Sequence, residues 1–309
     1  MPLVSIAIPS FNHERFVKAC IQSVIAQDYE NIELIIIDDG STDNSCCIIG
    51  ESLLACRTRF KRFEFRSRPN KGLAATLNEA LDWSTGKYFA AIASDDLLLP
   101  NKTSLLLANI EHEQDVAGIF SGCEIIDQSG LAIGQLKPSL TYYSHDEVLI
   151  KNCHLVAPSQ LLRLNLVKQV GGYPIGLYIE DWYMWLSLTK AGYKLKVIPN
   201  TLVKYRQHES NISKNVLKMF ESRKLILDLF KDHWLYGFAM AKTLVSAAIE
   251  FSTINKISSA KYLIEAAKWS IRVILTYSFA VALIRLLLPR FCIKLLSGIR
   301  LIVRKRLVV

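Results

Sequence analysis

Three pairs of neighbouring acidic residues stand out in this sequence: Asp38-Asp39, Asp95-Asp96 and Glu180-Asp181. Adjacent carboxylates repel each other, so a pair persists at low cost only where a cation, a hydroxyl donor or a helix N-terminus compensates. A few carboxylate oxygens suit Mg²⁺ or Mn²⁺, which keeps waters and phosphates as its other ligands. A carboxylate beside a hydroxyl can instead act as a general base. The pairs therefore offer cation binding and proton abstraction.

Each pair also has a purely structural explanation. Asp96 could cap a short helix that runs toward Pro100, and Asp38-Asp39 before Gly40 could form an ordinary turn. Acids in the first turn of a helix, such as Glu180, are favoured by the helix dipole alone. The position of each pair in the fold must therefore decide between these explanations.

Alternating strand and helix patterns position the first two pairs. Apolar, β-rich runs indicate strands, and apolar residues at helical spacing indicate helices. The strands are predicted at 3–8, 32–37, 63–66 and 88–93, and the helices at 14–27 and 71–83, with another beginning near Thr42 or Asp43. This alternation predicts a doubly wound α/β unit with a largely parallel sheet, whose ligands bind beyond the carboxyl ends of the strands. At such an end a carboxylate could accept the imide N–H of uracil or thymine.

The remainder of the chain predicts an acceptor-side half and a helical C-terminal region. Strands are predicted within 116–126 and at 194–199, and helices at 102–113, within 159–173, and at 179–191, 216–231, 238–249 and 261–269. The helix at 179–191 opens on Glu180-Asp181. We predict a catalytic domain over 1–220, with halves at about 1–100 and 101–220, followed by a helical region over 221–309.

The net charge of +9 is concentrated at the C-terminal end. Residues 266–309 contain nine Lys or Arg and no acid, and these basic residues lie among Leu, Ile, Val and Phe. Such a mixture favours a membrane surface over a nucleic acid as partner. The apolar run at 273–288 is too short and interrupted for a transmembrane helix. The segment 291–309 predicts an interfacial anchor, and the alternative is a helix packed on the catalytic domain.

Composition narrows the cellular context. Apolar residues make up 51% of the chain and charged residues 21%, so a large core is expected and disorder is excluded. The seven cysteines include no C-x-x-C pair, and the N-terminus shows no secretory signal pattern. A reducing cytoplasm, with the protein on the inner face of the cell membrane, is the expected location.

Seven ordered segments together resemble family 2 glycosyltransferases. They are 4–12, 23–29, 33–43, Asn70-Lys71-Gly72-Leu73 with Asn78, Ser94-Asp95-Asp96 with Pro100, Gly171-Gly172-Tyr173 with Glu180-Asp181-Trp182, and Tyr205-Arg206-Gln207-His208 with Ser213. The resemblance covers about residues 3–215 and implies a GT-A fold, a Rossmann-like and mostly parallel sheet flanked by helices. It also implies a nucleoside-diphosphate-sugar donor.

The resemblance assigns roles to individual residues. Asp39 would meet a uracil or thymine, Asp96 would bind the divalent cation (Mg²⁺ or Mn²⁺) of the diphosphate, and Asp181 would be the catalytic base with Glu180 beside it. Asp95 would lie near the ribose. The other residues expected around the nucleotide-sugar are Pro9, Phe11, Asn12, Asp38, Asn70, Gly72 and His208. His208 would hold the diphosphate or the metal, or it is a hydrogen-bonded surface histidine.

Two positions depart from the family pattern. Ala93 replaces the first aspartate of a full D-x-D motif, so metal binding would depend mainly on Asp96 and the phosphates. The segment 74–77 lacks the arginine that commonly approaches the nucleotide. The Q-x-x-R-W motif of polymerising synthases is also absent, which favours transfer of single sugars.

The implied activity is an inverting transfer of one sugar, from a UDP- or dTDP-type donor, to a hydroxyl of a glycan or polyprenyl-diphosphate-linked acceptor in surface-polysaccharide synthesis. One alternative is a sugar nucleotidyltransferase, although the loop Pro9-Ser10-Phe11-Asn12-His13 lacks the Gly-rich, lysine-bearing character of that class. The other is an inactive glycosyltransferase-like binding protein at the membrane.

Overall fold

The computed structural model describes residues 1–151, 153–209, 211 and 214–289. The chain divides into two compact units, here called unit 1 and unit 2. Unit 1 comprises Met1–His145, Cys153–Gly176 and Glu180–His208. Unit 2 comprises the described parts of Asp146–Asn152, Leu177–Ile179 and Glu209–Val309. The predicted domain boundary at residue 220 falls inside the helix Val216–Asp228 and stays a prediction.

The first part of unit 1 has the predicted alternation of strands and helices. The strands are β1 (Val4–Ser10), β2 (Ile32–Asp38), β3 (Arg62–Ser67) and β4 (Tyr88–Ala91), and the helices are α1 (Val17–Ile25), α2 (Ser45–Arg59) and α3 (Leu73–Trp83). These four strands are parallel, in the spatial order β3-β2-β1-β4. All seven residues of β2 are buried, as expected for a strand covered by helices on both faces.

The second part of unit 1 extends the same sheet in mixed orientation. Its elements are β5 (Leu97–Leu98), α4 (Lys102–Ile110), β6 (Val116–Ile126), β7 (Ala132–Leu136), β8 (Thr141–Tyr143), α5 (His145–Leu149, which continues into unit 2), β9 (Leu161–Arg163), α6 (Leu164–Gln169), α7 (Glu180–Lys190) and β10 (Lys194–Arg206). The sheet continues from β4 through β9, β6 and β10 to β5. Strands β6 and β10 are parallel, whereas β9 pairs antiparallel with both β4 and β6. The predicted α/β architecture is therefore confirmed, and its parallel character belongs mainly to the first four strands.

The register of β1 and β2 determines where the first site residues lie. Ser10 and Asp38 are partners at the carboxyl end of the parallel ladder. Asp38 in turn pairs with Ser67 at the end of β3. Three loops, after β1, β2 and β3, therefore leave the sheet at the same edge.

Unit 2 contains helices packed through small side chains. Its long helices are α8 (Val216–Asp228), α9 (Tyr236–Phe251), α10 (Lys256–Trp269) and α11 (Tyr277–Leu287). Ala241, Ala247 and Ala248 on α9 are buried, and the Ser259 hydroxyl of α10 donates to the Ala248 carbonyl at 2.7 Å. Within the described part of the chain, no helix combines the length and hydropathy that a membrane crossing requires. The predicted anchor at 291–309, and Ser213 of the last motif, lie outside the described residues.

Candidate active site

The loop after β1 is tied to the loop after β2. Asn12 adopts a left-handed backbone conformation with φ of 53°. Its amide donates to Ser41 Oγ at 2.9 Å, and its Oδ1 accepts from the Thr42 amide at 2.8 Å. Pro9 is half-buried, whereas Phe11 is 45% exposed. Asn12 therefore connects the two loops, and the Phe11 ring is left accessible to a ligand.

Asp38 closes the turn that follows β2. Its carboxylate accepts from the Ser41 amide at 3.1 Å and from the Ser41 hydroxyl at 2.5 Å. The Ser67 hydroxyl, at the end of β3, lies 3.4 Å from the same carboxylate. The structural alternative for Asp38 thus has direct support, because its oxygens are engaged within the turn.

Asp39 is buried, and its carboxylate faces the loop after β3. Its Oδ1 accepts from the Lys71 amide at 2.8 Å, and its Oδ2 accepts from the Gly72 amide at 2.9 Å. The guanidinium of Arg68 donates to Oδ1 as well, in a buried ion pair. The carboxylate is therefore oriented by three donors from one short segment.

Two glycines allow these loops to meet. Gly40 has a φ of +76°, and a Cβ at this position would lie 2.7 Å from the amide nitrogen of Asn70. Gly72 has a φ of +87° and precedes α3. A side chain at Gly40 would separate the loops, and with them Asp39 from its amide donors. Asn70 itself is exposed.

Asp95 lies in a group with two histidines. His208 Nε2 is 2.8 Å from Asp95 Oδ2, and His13 Nε2 is 4.0 Å from the same oxygen. One ligand atom from each of the three side chains lies within 4.8 Å of the others. Both Asp95 and His208 are buried, so the surface-histidine alternative for His208 does not fit the structure.

His13 is oriented by its other ring nitrogen. Nδ1 lies 2.8 Å from the hydroxyl of Ser94, next to Asp95 in the chain. In the tautomer whose Nδ1–H donates to this hydroxyl, the lone pair of Nε2 faces the group. Burial lowers the pKa of His13, as does the nearby His208, although Asp95 opposes this effect. Both factors favour the neutral imidazole, which is the form that binds metals.

Asp96 faces a different partner. Its Oδ1 accepts from the Arg206 amide at 2.7 Å, and the Arg206 guanidinium donates to the Asp95 carbonyl at 2.8 Å. Burial, and after it the charge of Asp95, raises the pKa of Asp96 well above its ordinary value. Asp96 thus connects the loop after β4 to the end of β10, and the group of possible metal ligands contains Asp95 instead.

The donor set around Asp95 fits a divalent cation. Asp95 Oδ1 is buried and has no hydrogen-bond partner among the described residues. A buried carboxylate oxygen without a partner is costly unless a ligand satisfies it. One carboxylate and two imidazoles suit Mn²⁺ and similar ions, with phosphate oxygens free to complete the coordination.

Glu180 and Asp181 form the first turn of α7. Burial, and then the neighbouring Asp181, raises the pKa of Glu180 to about 8. Asp181 Oδ1 accepts from the Trp182 amide at 2.6 Å. At neutral pH Glu180 is therefore expected to keep its proton.

Tyr173 is linked to this pair and to α3. Burial, followed by the charges of Glu180 and Asp181, raises the pKa of its phenol, and the hydroxyl has no hydrogen-bond partner in the described chain. Asn78 of α3 binds both backbone polar groups of Tyr173, at 2.8 Å to the amide and 2.7 Å to the carbonyl. The predicted motif residue Asn78 thus positions the segment before the acidic pair.

Sequence reasoning missed three residues of the site, His13, Ser94 and Arg68. His13 and Ser94 lie within segments that the sequence analysis named, but nothing in the sequence shows that these two residues, 81 positions apart, are in contact. Arg68 lies just before the segment in which an arginine was sought. Its proximity to the Asn70-Lys71-Gly72 motif was the available signal.

Comparisons with known proteins identify the family and the fold. The family model "Glycosyl transferase family 2" matches residues 5–156. The Escherichia coli enzyme UDP-Glc:alpha-D-GlcNAc-diphosphoundecaprenol beta-1,3-glucosyltransferase WfgD is 30% identical over 241 residues, which are 75% of this chain and 87% of that enzyme.

Two solved structures share the fold. S. aureus TarS 1-349 in complex with UDP-GlcNAc is similar with a TM-score of 0.64 at 17% identity, over 90% of this chain and 83% of that one. The mannosyltransferase PcManGT from Pyrobaculum calidifontis, in complex with GDP-Man and Mn²⁺, gives a TM-score of 0.59 at 13% identity, over 93% and 87% of the two chains. These similarities confirm the GT-A fold, and family membership sets the nucleotidyltransferase alternative aside. The chain belongs to glycosyltransferase family 2.

Proposed function

We propose that this glycosyltransferase moves a single sugar from a UDP- or dTDP-sugar to a hydroxyl group, with inversion at the anomeric carbon. The observation that carries the proposal is the group of buried Asp95 and His208 with half-buried His13, in which one carboxylate oxygen has no partner among the described residues. Asp39 follows β2, which pairs with β1, at the carboxyl end of the parallel strands, and α7 presents an acidic pair in the same unit.

The nucleoside is proposed to bind along the edge formed by the loops after β1, β2 and β3. Asp39 receives the imide N–H of the base, while Pro9 and the exposed Phe11 ring line the base pocket. Asn12, Asp38 and Gly72 shape the loops through the contacts described above, and Asn70 lies on their exposed side. These backbone constraints orient the donor before the acceptor binds.

The diphosphate is proposed to bind at Asp95 and His208 through a divalent cation. The sequence assigned this cation to Asp96, whose carboxylate accepts from Arg206; we now propose Asp95 as the ligand, with Asp96 holding the strand end behind it. His13, whose Nε2 lies 4.0 Å from Asp95 Oδ2, completes the donor set. A bound Mn²⁺ or Mg²⁺ would neutralise charge on the leaving diphosphate.

Proton transfer is proposed for the acidic pair on α7. The acceptor oxygen attacks the anomeric carbon as the bond to the diphosphate breaks, and Asp181 takes the hydroxyl proton. Glu180 stays protonated at neutral pH because its pKa is raised to about 8. Asp181 therefore has no second full negative charge beside it. A single displacement inverts the anomeric centre, so an α-linked donor gives a β-linked product.

A lipid-linked glycan is the proposed acceptor. WfgD, by its name, adds glucose from UDP-Glc to GlcNAc-diphosphoundecaprenol in a β-1,3 linkage. Its name combines a uridine donor, a β linkage and a polyprenyl-diphosphate acceptor, which supports the same chemistry in this chain. Synthesis of a surface polysaccharide on the cytoplasmic face of the cell membrane is the corresponding role.

Unit 2 is proposed to contact the membrane. Around its last described helix, apolar side chains are exposed next to basic ones. Ile271 is 70% exposed, Leu275 90% and Leu287 76%, and Arg272 and Lys268 lie nearby in the chain. Exposed apolar residues mixed with cations are typical of surfaces that bind anionic lipids.

Release of nucleoside diphosphate tests the catalytic proposal. The full chain with Mn²⁺ would be incubated with UDP-, dTDP- and GDP-sugars, with and without a synthetic GlcNAc-diphospho-lipid. We expect acceptor-dependent UDP or dTDP release and a β-linked product by NMR coupling constants. An α-linked product would contradict inversion. Absence of release, with retained UDP binding, would favour the inactive binding-protein alternative.

Flotation with vesicles tests the membrane proposal. The full chain is expected to float with vesicles that contain phosphatidylglycerol and to remain below neutral phosphatidylcholine vesicles. The matched variant replaces Ile271, Leu275 and Leu287 by serine and keeps every charge. Equal flotation of this variant would show that the described surface of unit 2 is not the contact.

A further inference from the structure

We propose that Arg68 determines the base specificity of the donor site by occupying one of the acceptor positions of Asp39. One ring N–H, as in uracil or thymine, can then be paired, whereas the two adjacent donors of guanine cannot. Arg68 has this role only if Asp39 receives the base, so the inference rests on the proposed function.

The hydrogen bonds of Asp39 can be counted. An ionised carboxylate offers about four lone-pair sites, two on each oxygen. Oδ1 accepts from Arg68 and from the Lys71 amide, so both of its sites are taken. Oδ2 accepts from the Gly72 amide and keeps one site. Asp39 can therefore receive one further donor.

The bases differ in how many donors they present. Uracil and thymine have a single ring N–H, flanked by two carbonyl oxygens. Guanine has a ring N–H with an amino group beside it, and these two donors match both oxygens of a carboxylate. With one site left on Asp39, one guanine donor would stay unpaired in a desolvated site, which weakens binding.

Arg68 is held firmly in the position that this count requires. Its Nε donates to Glu79 Oε2 at 2.7 Å, and its Nη2 donates to Thr76 Oγ1 at 2.9 Å. The Pro69 carbonyl accepts from Nη1 at 3.1 Å. The side chain is only 13% exposed, so a ligand would have to break several bonds to displace it from Asp39.

Arg66 provides a matched control. It donates to the other oxygen of Glu79 at 2.9 Å and also binds Glu64. Arg66→Met therefore removes a guanidinium and a partner of Glu79 without removing the donor from Asp39. Any effect of Arg68→Met that Arg66→Met does not reproduce belongs to the bond with Asp39.

The experiment compares UDP, GDP and IDP by calorimetry with the full chain and Mn²⁺. Hypoxanthine, the base of IDP, keeps the ring N–H of guanine but lacks the amino group. The ratio of the two purine affinities therefore isolates the second donor from the size of the ring. In the unsubstituted protein we expect IDP to bind about 10-fold more tightly than GDP, the effect of one unpaired donor, and UDP to bind best.

The variants then locate the cause. In Arg68→Met the IDP preference over GDP is expected to disappear, and UDP binding is expected to weaken, because Asp39 loses a donor that orients it. Arg66→Met should keep both values within about twofold of the unsubstituted protein, well below a full hydrogen bond. Circular dichroism would confirm folding, and if Arg68→Met does not fold, equal binding of IDP and GDP to the unsubstituted protein would still overturn the inference.

Three results would contradict the proposal for Arg68. They are equal binding of IDP and GDP, an unchanged ratio in Arg68→Met, and exclusion of both purines at millimolar concentration, since ring size would then decide. Failure of the proposed function would give a different binding result. In that case UDP itself fails to bind the unsubstituted protein, or GDP binds more tightly than UDP.

Discussion

The acidic pair after β4 and the acidic pair at the start of α7 each place two carboxyl groups side by side, but different groups contact them. In each pair burial raises the pKa of one member, Asp96 in the first and Glu180 in the second. Asp95, the other member of the first pair, faces two imidazoles. Asp181 instead binds the backbone amide that follows it in α7.

This difference separates two kinds of chemistry. Imidazoles beside a carboxylate make a site for a cation, whereas two carboxylates with one proton between them make a site that accepts a proton. The chemistry of each acidic pair is thus determined by the groups that pack against it. The following measurements test that contrast, beginning with the largest expected effect.

Asp181→Asn should remove the proton acceptor while keeping the shape of the helix start. We expect turnover to fall by about 10²–10⁴-fold, the usual contribution of a general base, and UDP affinity to stay unchanged. Single-turnover UDP release and calorimetry would measure the two quantities. Glu180→Gln is the control, since it preserves the protonated form and should lose far less activity at neutral pH. Equal losses in both variants would contradict the division of roles.

Asp95→Asn and Asp96→Asn should affect cation binding unequally. Asp95→Asn is expected to weaken Mn²⁺-dependent UDP binding by about 10–100-fold, as for other changes around a metal ligand. Asp96→Asn keeps an oxygen for the Arg206 amide and should have the smaller effect. Calorimetry with and without Mn²⁺ would measure both. A larger effect of Asp96→Asn than of Asp95→Asn would indicate that Asp96 binds the cation, as the sequence pattern predicted.

Glu180→Gln should change how stability depends on pH. The folded-state pKa of Glu180 is raised from 4.5 to about 8, so its contribution is fully present below about pH 4.5 and is lost as the pH rises through 8. Glutamine does not ionise, so the variant should be increasingly more stable than the unsubstituted protein as the pH increases between these values. Melting temperatures at pH 5, 7 and 9 would show it. A constant difference would mean that Glu180 titrates normally.

Tyr173→Phe should be the mildest change. Its hydroxyl is buried without a partner in the described chain, so removing it eliminates an uncompensated desolvation cost of about 1 kcal/mol. The melting temperature should rise by about 2–4 °C, the usual shift for a domain of this size. A marked destabilisation would show that the phenol shares a hydrogen bond with the acidic pair.

The first half of the fold followed from the sequence because its signals are local. Strands β1, β2 and β4 are mostly apolar runs, and the helices between them show apolar residues at helical spacing. Strands β5, β7, β8 and β9 were not predicted. They have two to five residues each and are defined by pairing with distant strands. Such pairing leaves little trace in periodicity.

The candidate site shows the same limit. The acidic residues were predicted because they follow strand ends or open a helix, and both kinds of position can be recognised in a sequence. His208 was also predicted, through the resemblance, but its contact with His13 was not, because the two residues lie near opposite ends of unit 1 in the sequence. No arginine stands at 74–77, whereas Arg68, before Gly72 in the chain, donates to Asp39. Three-dimensional proximity, and not residue type, was the missing information.

The close approach of Gly40 to Asn70 has a kinetic consequence. Because the two loops already touch, the amides of Lys71 and Gly72 orient Asp39 in the free protein. An arriving nucleotide therefore has no loop to close before its base can bond. Association at this edge should proceed in one step, without a slow isomerisation phase. Differences in affinity between nucleotides should then appear mainly in the dissociation rate of the complex.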